Sequence, residues 1–260
     1  MSEDVSIATL SDIARRAGRA VMEVYDGGDI SVITKDDDSP LTRADTASHA
    51  VIVRELGEAY PDIPIISEEG KDVPPAVRRK WRLFFLVDPL DGTKEFIRRN
   101  GEFTVNIALV RERLPIAGVV FAPAIDLLYA GTEGEGAFRE EGGKREPIPR
   151  ETPERQGRVA VRSRSHANPD EEGILSRYGV VDTVSMGSSL KFCLVADGTA
   201  DVYVRSGPTH EWDTAAAHAV VRAAGGGVLA GGEELSYNKE TLLNPGFICL
   251  GRGIDYVGPE

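Results

Sequence analysis

The sequence predicts a layered α/β protein, of the α+β kind, with a large antiparallel component. Three observations predict this fold class. Apolar residues recur at helical spacing near the start of the chain, short apolar runs alternate with charged turns in its middle, and strand-like and helix-like segments alternate towards its end. The 260 residues are enough for a complete hydrophobic core in one domain or two close subdomains.

The overall charge and the cysteine content exclude several classes of protein. The chain has 42 acidic and 30 basic residues, a net charge of −12, which argues against nucleic-acid binding through cationic contacts to phosphates. The two cysteines, Cys193 and Cys249, are too few for a disulfide framework. The acidic start of the chain and the lack of a long apolar run predict neither a signal peptide nor a transmembrane segment. We expect a cytoplasmic location and leave open peripheral association with the inner membrane; the sequence does not decide between a monomer and a homodimer.

Two amphipathic helices are predicted in the first 60 residues. The first covers residues 5–25 and stops at a glycine pair. A polar run at residues 35–40 precedes the second, which begins at residues 42–45 with a pattern like a capping box and continues to residue 56. This interpretation places Asp45 in the first helical turn.

The middle of the chain predicts buried strands followed by an antiparallel meander. Residues 63–66 and 83–87 are almost wholly apolar, as is typical of strands buried on both faces, and each run is followed by acids. The meander strands are expected at residues 104–112, 117–121, 127–130 and 136–139. The charged, proline-containing segment 140–155 predicts a boundary between an N-terminal subdomain, residues 1–150, and a C-terminal subdomain, residues 151–260.

The last part of the chain alternates between strands and helices. Strands are predicted at residues 159–161, 180–184, 201–205 and 247–250, and helices at residues 169–177, 189–196 and 213–224. The third of these helices is rich in alanine, places Asp213 at its cap and ends at three glycines.

The most informative motif is the hexapeptide DPLDGT at residues 88–93, directly after a predicted buried strand. Pro89 fixes one φ angle and Gly92 permits a tight turn, so Asp88 and Asp91 can direct their carboxylates at one point. The amides that follow would open a short helix and provide a phosphate cradle beside a cation. The alternative is an acid-rich turn that only caps a helix.

Other acids also lie at the ends of predicted elements, namely Asp45, Glu68, Glu69 and Asp213. Each alone is more often a solvated or capping residue. Together with the hexapeptide they indicate a hard cation, because carboxylate, carbonyl and water oxygens suit magnesium, whereas zinc favours His or Cys.

Nearly the whole chain resembles the lithium-sensitive, magnesium-dependent phosphatase superfamily of the inositol monophosphatases. The motifs that carry this resemblance are residues 42–45, 67–69, 88–93 and 212–216. The resemblance implies an αβαβα sandwich with a large antiparallel sheet and a second, smaller sheet. Within the superfamily, residues 88–106, 187–193, 201–205 and 211–213 are similar to the 3'(2'),5'-bisphosphate nucleotidases of sulfur assimilation.

The same resemblance implies two magnesium ions and allows a third. Glu68, Asp88 and the main-chain carbonyl of Leu90 would bind the first ion, while Asp88, Asp91 and Asp213 would bind the second. Glu68 would share a third ion through water. The resemblance does not include Glu69 among the ligands; it implies an acid that lies next to them without binding the metal itself.

Further positions would act on water and substrate. Gly92 and Thr93 would hold the scissile phosphate, and Thr93 with Asp45 would orient and deprotonate the attacking water. Lys191 and Arg205 would hold the second phosphate of a nucleotide bisphosphate. The substrate contacts implied in full are Glu68, Leu90, Asp91, Gly92, Thr93, His166, Ser188, Lys191, Arg205 and Asp213. Without the resemblance, Lys191, Arg205, Ser188 and His166 could equally be ordinary surface residues.

These features give three hypotheses about function. The first is a magnesium-dependent nucleotidase that removes the 3'-phosphate of adenosine 3',5'-bisphosphate in sulfur assimilation, with the sulfated precursor as a second candidate substrate. The second is an inositol or sugar phosphatase with the same metal site. The third is a sensor that binds metal and nucleotide without catalysis, although it would have no need of a water-activating pair such as Asp45 and Thr93.

Overall fold

A computed structural model describes residues 5–27, 32–34, 40–151, 155–163 and 170–258 of the chain. Within these residues the helices are α1 (Ile7–Gly27), α2 (Arg43–Ala59), α3 (Pro75–Arg78), α4 (Thr93–Ile97), α5 (Asp170–Arg177), α6 (Leu190–Ala196) and α7 (Glu211–Ala223), with a 3-10 turn at Pro123–Ile125. The strands of the first half are β1 (Val32–Thr34), β2 (Pro40–Thr42), β3 (Ile65–Ser67), β4 (Leu83–Asp91), β5 (Thr104–Arg111), β6 (Leu114–Ala122), β7 (Leu127–Thr132), β8 (Gly136–Glu141) and β9 (Lys144–Ile148). Those of the second half are β10 (Arg158–Ser163), β11 (Val180–Met186), β12 (Val202–Arg205), β13 (Thr209–His210), β14 (Gly227–Ala230), β15 (Glu233–Glu234), β16 (Leu243–Asn244) and β17 (Phe247–Leu250).

Both N-terminal helices form where the sequence predicts them. In α1 an apolar stripe at three- and four-residue spacing is buried, as expected of an amphipathic helix. In α2 the Thr42 side chain accepts a hydrogen bond from the first turn and the Asp45 side chain accepts one from the Thr42 amide, so the predicted capping box is present. Residues 35–39 of the polar run lie outside the described residues.

The large sheet has seven strands in the order β3-β4-β5-β6-β7-β8-β9. Only β3 and β4 pair in parallel; every other neighbouring pair is antiparallel, which confirms the meander. Alternate residues of β4 face opposite cores, with Phe84 and Leu86 in one and Phe85 and Val87 in the other. This double burial explains why the strand is apolar at every position.

The layers follow the order predicted for an αβαβα sandwich. Helices α1 and α2 cover one face of the large sheet, and α6 and α7 cover the other. The second sheet has six strands in the order β11-β10-β12-β17-β14-β15 and packs on the far side of α6 and α7. Helix α5 then packs on its outer face. The predicted fold class is confirmed.

Helix α7 lies very close to the large sheet. A Cβ atom at Gly118 of β6 would stand only 2.2 Å from the main-chain oxygen of Ala216, so a side chain there would force the helix away. The small side chains of the alanine-rich helix α7 likewise allow the helix to approach the sheet closely. This close contact fixes the height of α7, and with it Asp213, above the sheet.

The structure corrects three predictions about element boundaries. Strand β4 does not end before Asp88 but continues to Asp91 through an irregularity in its pairing with β5. Helix α7 begins at Glu211 with His210 as its cap, so Asp213 is the third helical residue and not the cap. Strand β9 lies within residues 140–155, where the sequence predicts no strand.

The division into subdomains at residue 150 stays a prediction. The strands of the large sheet come from residues 65–148 and those of the six-stranded sheet from residues 158–250. None of the helices in the described ranges combines the length and apolar character needed to cross a bilayer.

Candidate active site

The acidic hexapeptide forms an irregular end of strand β4. Asp88 pairs with Asn106 and Asp91 with Thr104, so two residues of β4 bulge out of the ladder between the two aspartates. Within this bulge the Leu90 amide donates a 3.0 Å hydrogen bond to Asp88 Oδ1. The bulge therefore fixes the Asp88 carboxylate and brings Asp88 and Asp91 to the same end of the sheet.

Helix α2 places Asp45 beside this loop. Asp45 Oδ2 accepts hydrogen bonds from the Thr42 amide at 2.8 Å and the Thr42 hydroxyl at 2.6 Å. One turn later, Ser48 Oγ donates to the main-chain oxygen of Pro89 at 2.7 Å and ties the helix to the loop. Burial raises the pKa of Asp45 from 3.8 to about 6, an effect that the bonds from Thr42 oppose.

Helix α7 supplies Asp213 through a second capping box. The His210 amide donates to Asp213 Oδ2 at 2.8 Å. Burial raises the pKa of Asp213 well above its usual value, and the charge of Asp91 raises it further. Asp45 and Asp213 thus occupy the same position in two different helices, each with one carboxylate oxygen held by a cap amide.

Glu68 follows strand β3 and lies beside the end of β4. Its amide donates to the main-chain oxygen of Val87 at 3.1 Å, which places it next to Asp88. The negative charge of Glu68 raises the pKa of both Asp88 and Asp213. The charges of Glu68 and its neighbour Glu69 both add to the effect of burial in raising the pKa of Asp45. Burial lowers the pKa of His49, and the charge of Glu69 opposes that effect.

Five carboxylates share one electrostatic environment. Burial raises the pKa of Asp88 well above its usual value, and the charges of Glu68, Asp91, Asp213 and Asp45 each raise it further. Residues far apart along the chain therefore meet at one end of the large sheet. Like charges buried together are unfavourable unless a cation or protons compensate them.

The chemistry of this donor set fits a hard divalent cation. All the side-chain ligands are carboxylates, and magnesium prefers oxygen ligands while it retains several waters. Within the described part of the chain, no three His, Cys, Asp or Glu side chains are already arranged as a metal-binding group. The ligand sets at Glu68, Asp88, Leu90, Asp91 and Asp213, and the bridging role of Asp88, therefore stay predictions.

A cavity of about 310 Å³ opens beside these acids and contains most of the predicted substrate contacts. The predicted site residues that line it are Asp91, Gly92, Thr93, Ser188, Lys191, Arg205 and Asp213. Gly92 caps helix α4 with a φ of 89°, a conformation that glycine adopts without strain. The Thr93 hydroxyl lies 3.4 Å from the Leu90 carbonyl oxygen. His166 lies outside the described residues.

Two polar atoms in the wall of the cavity, Ser188 Oγ and Arg205 Nε, are buried and have no hydrogen-bond partner among the described residues. Such atoms are rare in folded proteins, and a water, an ion or a ligand can supply the partner. Lys191 Nζ donates to the main-chain oxygen of Ser188 at 2.5 Å. Burial lowers the pKa of Lys191, while the charge of Asp91 opposes that effect.

The sequence predicts no role for Ser189, although this residue connects three parts of the site. Its amide and its hydroxyl both lie 2.6 Å from Asp91 Oδ2, and the hydroxyl also lies 2.8 Å from the main-chain oxygen of Asp213. Asn106 Nδ2 donates to the same hydroxyl at 2.9 Å. The sequence offers two adjacent serines, Ser188 and Ser189, and no local pattern distinguishes the one that faces Asp91.

The chain belongs to the inositol monophosphatase family, whose family model matches residues 3–253. Members of this family are in general magnesium-dependent, in agreement with the donor set described above. The resemblance inferred from the motifs is confirmed.

Within the family, the chain is similar to particular curated relatives and solved structures. The 3'(2'),5'-bisphosphate nucleotidase CysQ of Escherichia coli K12 is 50% identical over 240 residues, which cover 90% of this chain and 95% of that protein. The crystal structure of CysQ from Bacteroides thetaiotaomicron has a TM-score of 0.85 at 43% identity and covers 95% of this chain and 97% of that one. The IMPase of Thermotoga maritima is more distant, with a TM-score of 0.74 at 26% identity and coverage of 93% and 90%.

Proposed function

We propose that the chain is a magnesium-dependent 3'(2'),5'-bisphosphate nucleotidase. It hydrolyses the 3'-phosphate of adenosine 3',5'-bisphosphate to give AMP and phosphate, in sulfur assimilation and in the cytoplasm. The observation that carries this proposal is the presence of the basic residues Lys191 and Arg205 in the same cavity as Asp91 and Asp213, two carboxylates of the acidic cluster. An inositol monophosphate has no second phosphate for these cations to bind. The similarity to the CysQ nucleotidases supports the same substrate class.

The metal ligands are the acids of the cluster. Glu68, Asp88 and the Leu90 carbonyl would hold one magnesium ion, Asp88, Asp91 and Asp213 a second, and Glu68 would share a third through water. Bound magnesium would supply an activated water and offset the charge that develops on the leaving oxygen. Because the acids are buried and repel one another, the protein without magnesium should bind a polyanionic substrate poorly.

Asp45 and Thr93 would handle the attacking water. Asp45 has a pKa of about 6, so it is mostly ionised at neutral pH and can accept a proton. Thr42 holds its Oδ2, which makes Oδ1 the oxygen that would take the proton. The Thr93 hydroxyl would fix the direction of the water, and the direction of attack matters because phosphoryl transfer depends on alignment.

The remaining residues would hold the two phosphates of the substrate. The amides of Gly92 and Thr93 would bind the scissile phosphate, while Lys191 and Arg205 would bind the second phosphate. Ser188 Oγ and Arg205 Nε would gain there the hydrogen-bond partners that the described part of the chain does not give them. A contact from His166 remains a sequence prediction.

A substrate panel at fixed magnesium concentration tests this function. We expect kcat/KM for adenosine 3',5'-bisphosphate to exceed that for inositol 1-phosphate by about a hundredfold or more, the value of one or two charge-assisted contacts to the second phosphate. Fructose 1,6-bisphosphate, which also carries two phosphates, tests whether the nucleoside is recognised as well. The sulfated precursor is a further arm, and a reaction with chelator in place of magnesium is the control. Equal or greater use of inositol 1-phosphate would make the chain an inositol phosphatase, and binding of nucleotide without phosphate release would make it a sensor.

A further inference from the structure

A buried carboxylate close to the active site takes no part in the proposed chemistry. Glu211 is the first residue of α7, lies two positions before Asp213, and has 0% exposed surface. Its Oε1 accepts hydrogen bonds from the amide of Lys239 at 3.0 Å and from Lys239 Nζ at 2.6 Å, and its Oε2 accepts one from the amide of Asn238 at 2.7 Å. Both oxygens of the carboxylate thus accept hydrogen bonds from the loop at residues 236–244.

Lys239, the counter-ion of Glu211, also uses its ammonium group for contacts within the protein. Besides Glu211, Lys239 Nζ donates to the main-chain oxygen of Ser236 at 2.8 Å and to Asn244 Oδ1 at 2.9 Å. A lysine ammonium has three hydrogens, and all three have acceptors here. Lys239 therefore serves Glu211 and the loop and is not available to a substrate phosphate.

Asn244 extends these contacts to both sides of Asp213. Its Nδ2 lies 2.9 Å from the main-chain oxygen of His210, 3.1 Å from Thr209 Oγ1 and 3.0 Å from Thr214 Oγ1. The loop at residues 236–244 thereby holds residues before and after Asp213. It fixes the start of α7 as a unit.

Arg78 joins the same loop to the other part of the active site. Its buried guanidinium donates to Asn238 Oδ1 at 3.0 Å and to the main-chain oxygens of Glu240, at 2.5 Å, and Lys239. Asn238 Nδ2 in turn donates to the main-chain oxygen of Arg78 at 2.8 Å. Arg78 ends α3, which lies in the connection between β3 and β4 and hence between Glu68 and Asp88 in the chain.

We propose that Arg78, Glu211 and Lys239 are positioning residues that set the distance of Asp213 from the carboxylates on the large sheet. This inference rests on the proposed function, in which Asp213 is a magnesium ligand. The cap amide holds one oxygen of Asp213, so the direction of the other follows the orientation of the first turn of α7. The three residues fix that turn against the segment between Glu68 and Asp88. Residues that orient metal ligands without binding the metal themselves typically contribute about 10- to 100-fold in metal affinity.

The test compares magnesium binding in the intact enzyme and in Glu211→Gln. Unfolding temperature is measured against magnesium concentration, starting from metal-free protein, and gives a binding midpoint without reference to activity. We expect the midpoint to rise about tenfold or more in the variant. The KM for adenosine 3',5'-bisphosphate at saturating magnesium should change by less than about threefold, because no substrate contact is lost. A double variant, Glu211→Gln with Lys239→Met, removes both charges of the pair and keeps the test decisive if the single variant fails to fold.

Asp197→Asn is the matched control, because Asp197 is also a buried carboxylate. It lies at the C-terminal end of α6, whereas the active-site residues lie at the start of that helix, and it accepts hydrogen bonds from Tyr129 and Arg150. The control variant should lower the unfolding temperature without moving the magnesium midpoint. A midpoint that stays unchanged in the folded Glu211 variants, or that moves equally in the control, overturns the positioning role, as does a parent enzyme with no response to magnesium. Magnesium binding by the parent without hydrolysis of the bisphosphate would reject the proposed function, while the midpoint comparison would still decide the positioning role.

Discussion

Replacement of Asp91 by asparagine is expected to lower kcat for adenosine 3',5'-bisphosphate by about a hundred- to a thousandfold. The asparagine oxygen can still accept the hydrogen bond from the Ser189 amide, so the end of β4 should keep its conformation. What the variant loses is one negative charge at the position where the second magnesium ion is proposed to bind. The measurement is steady-state phosphate release across a range of magnesium concentrations, with unfolding temperature as the check on folding.

The matched control for this variant is again Asp197→Asn, which removes a buried carboxylate with as many partners but without contact to the cavity. It should retain kcat within about threefold. If Asp91→Asn turns over at the parent rate, the two-ion mechanism is wrong. A loss that additional magnesium restores completely would instead limit Asp91 to a role in affinity.

Replacement of Lys191 by alanine is expected to reduce kcat/KM for the bisphosphate about 10- to 100-fold more than kcat/KM for inositol 1-phosphate. Lys191 faces the charge of Asp91 as well as the cavity, so some loss on every substrate is expected. The ratio of the two kcat/KM values removes that common part. It isolates the contact with the second phosphate, which only the nucleotide carries.

Arg205→Lys provides a graded comparison for this selectivity. It keeps a positive charge but removes the planar guanidinium, whose Nε has no hydrogen-bond partner within the ranges that the structure describes. We expect a smaller loss of selectivity than for Lys191→Ala. Equal losses on the bisphosphate and on inositol 1-phosphate in both variants would remove the case for a nucleotidase.

The sequence predicts the helices and the meander well because their signals are local. The capping box at residues 42–45, the apolar runs of β3 and β4 and the turns between β5 and β8 each depend on neighbouring residues. The sequence does not predict strand β9, because Pro147 and its charged neighbours resemble a linker. The structure places this strand at the edge of the sheet, where a proline and charges are tolerated.

The active site is only partly predictable, because only some of its residues carry a local signal in the sequence. Acids that follow strands are visible in the sequence, and the structure brings Glu68, Asp88, Asp91 and Asp213 into one electrostatic group. The residues that hold them are not visible, because Ser189 meets Asp91 from 98 residues away and Glu211 meets Lys239 from 28 residues away. Such contacts arise from packing of layers and leave no local pattern.

The most direct test of the account is to locate the bound metal by anomalous scattering from crystals grown with manganese, which accepts the same oxygen ligands as magnesium. The account predicts two strong peaks about 3.5–4 Å apart, the spacing of two-metal phosphatase sites, enclosed by Glu68, Asp88, the Leu90 carbonyl, Asp91 and Asp213. A single peak bound elsewhere, or no peak within reach of these oxygens at saturating manganese, would contradict it.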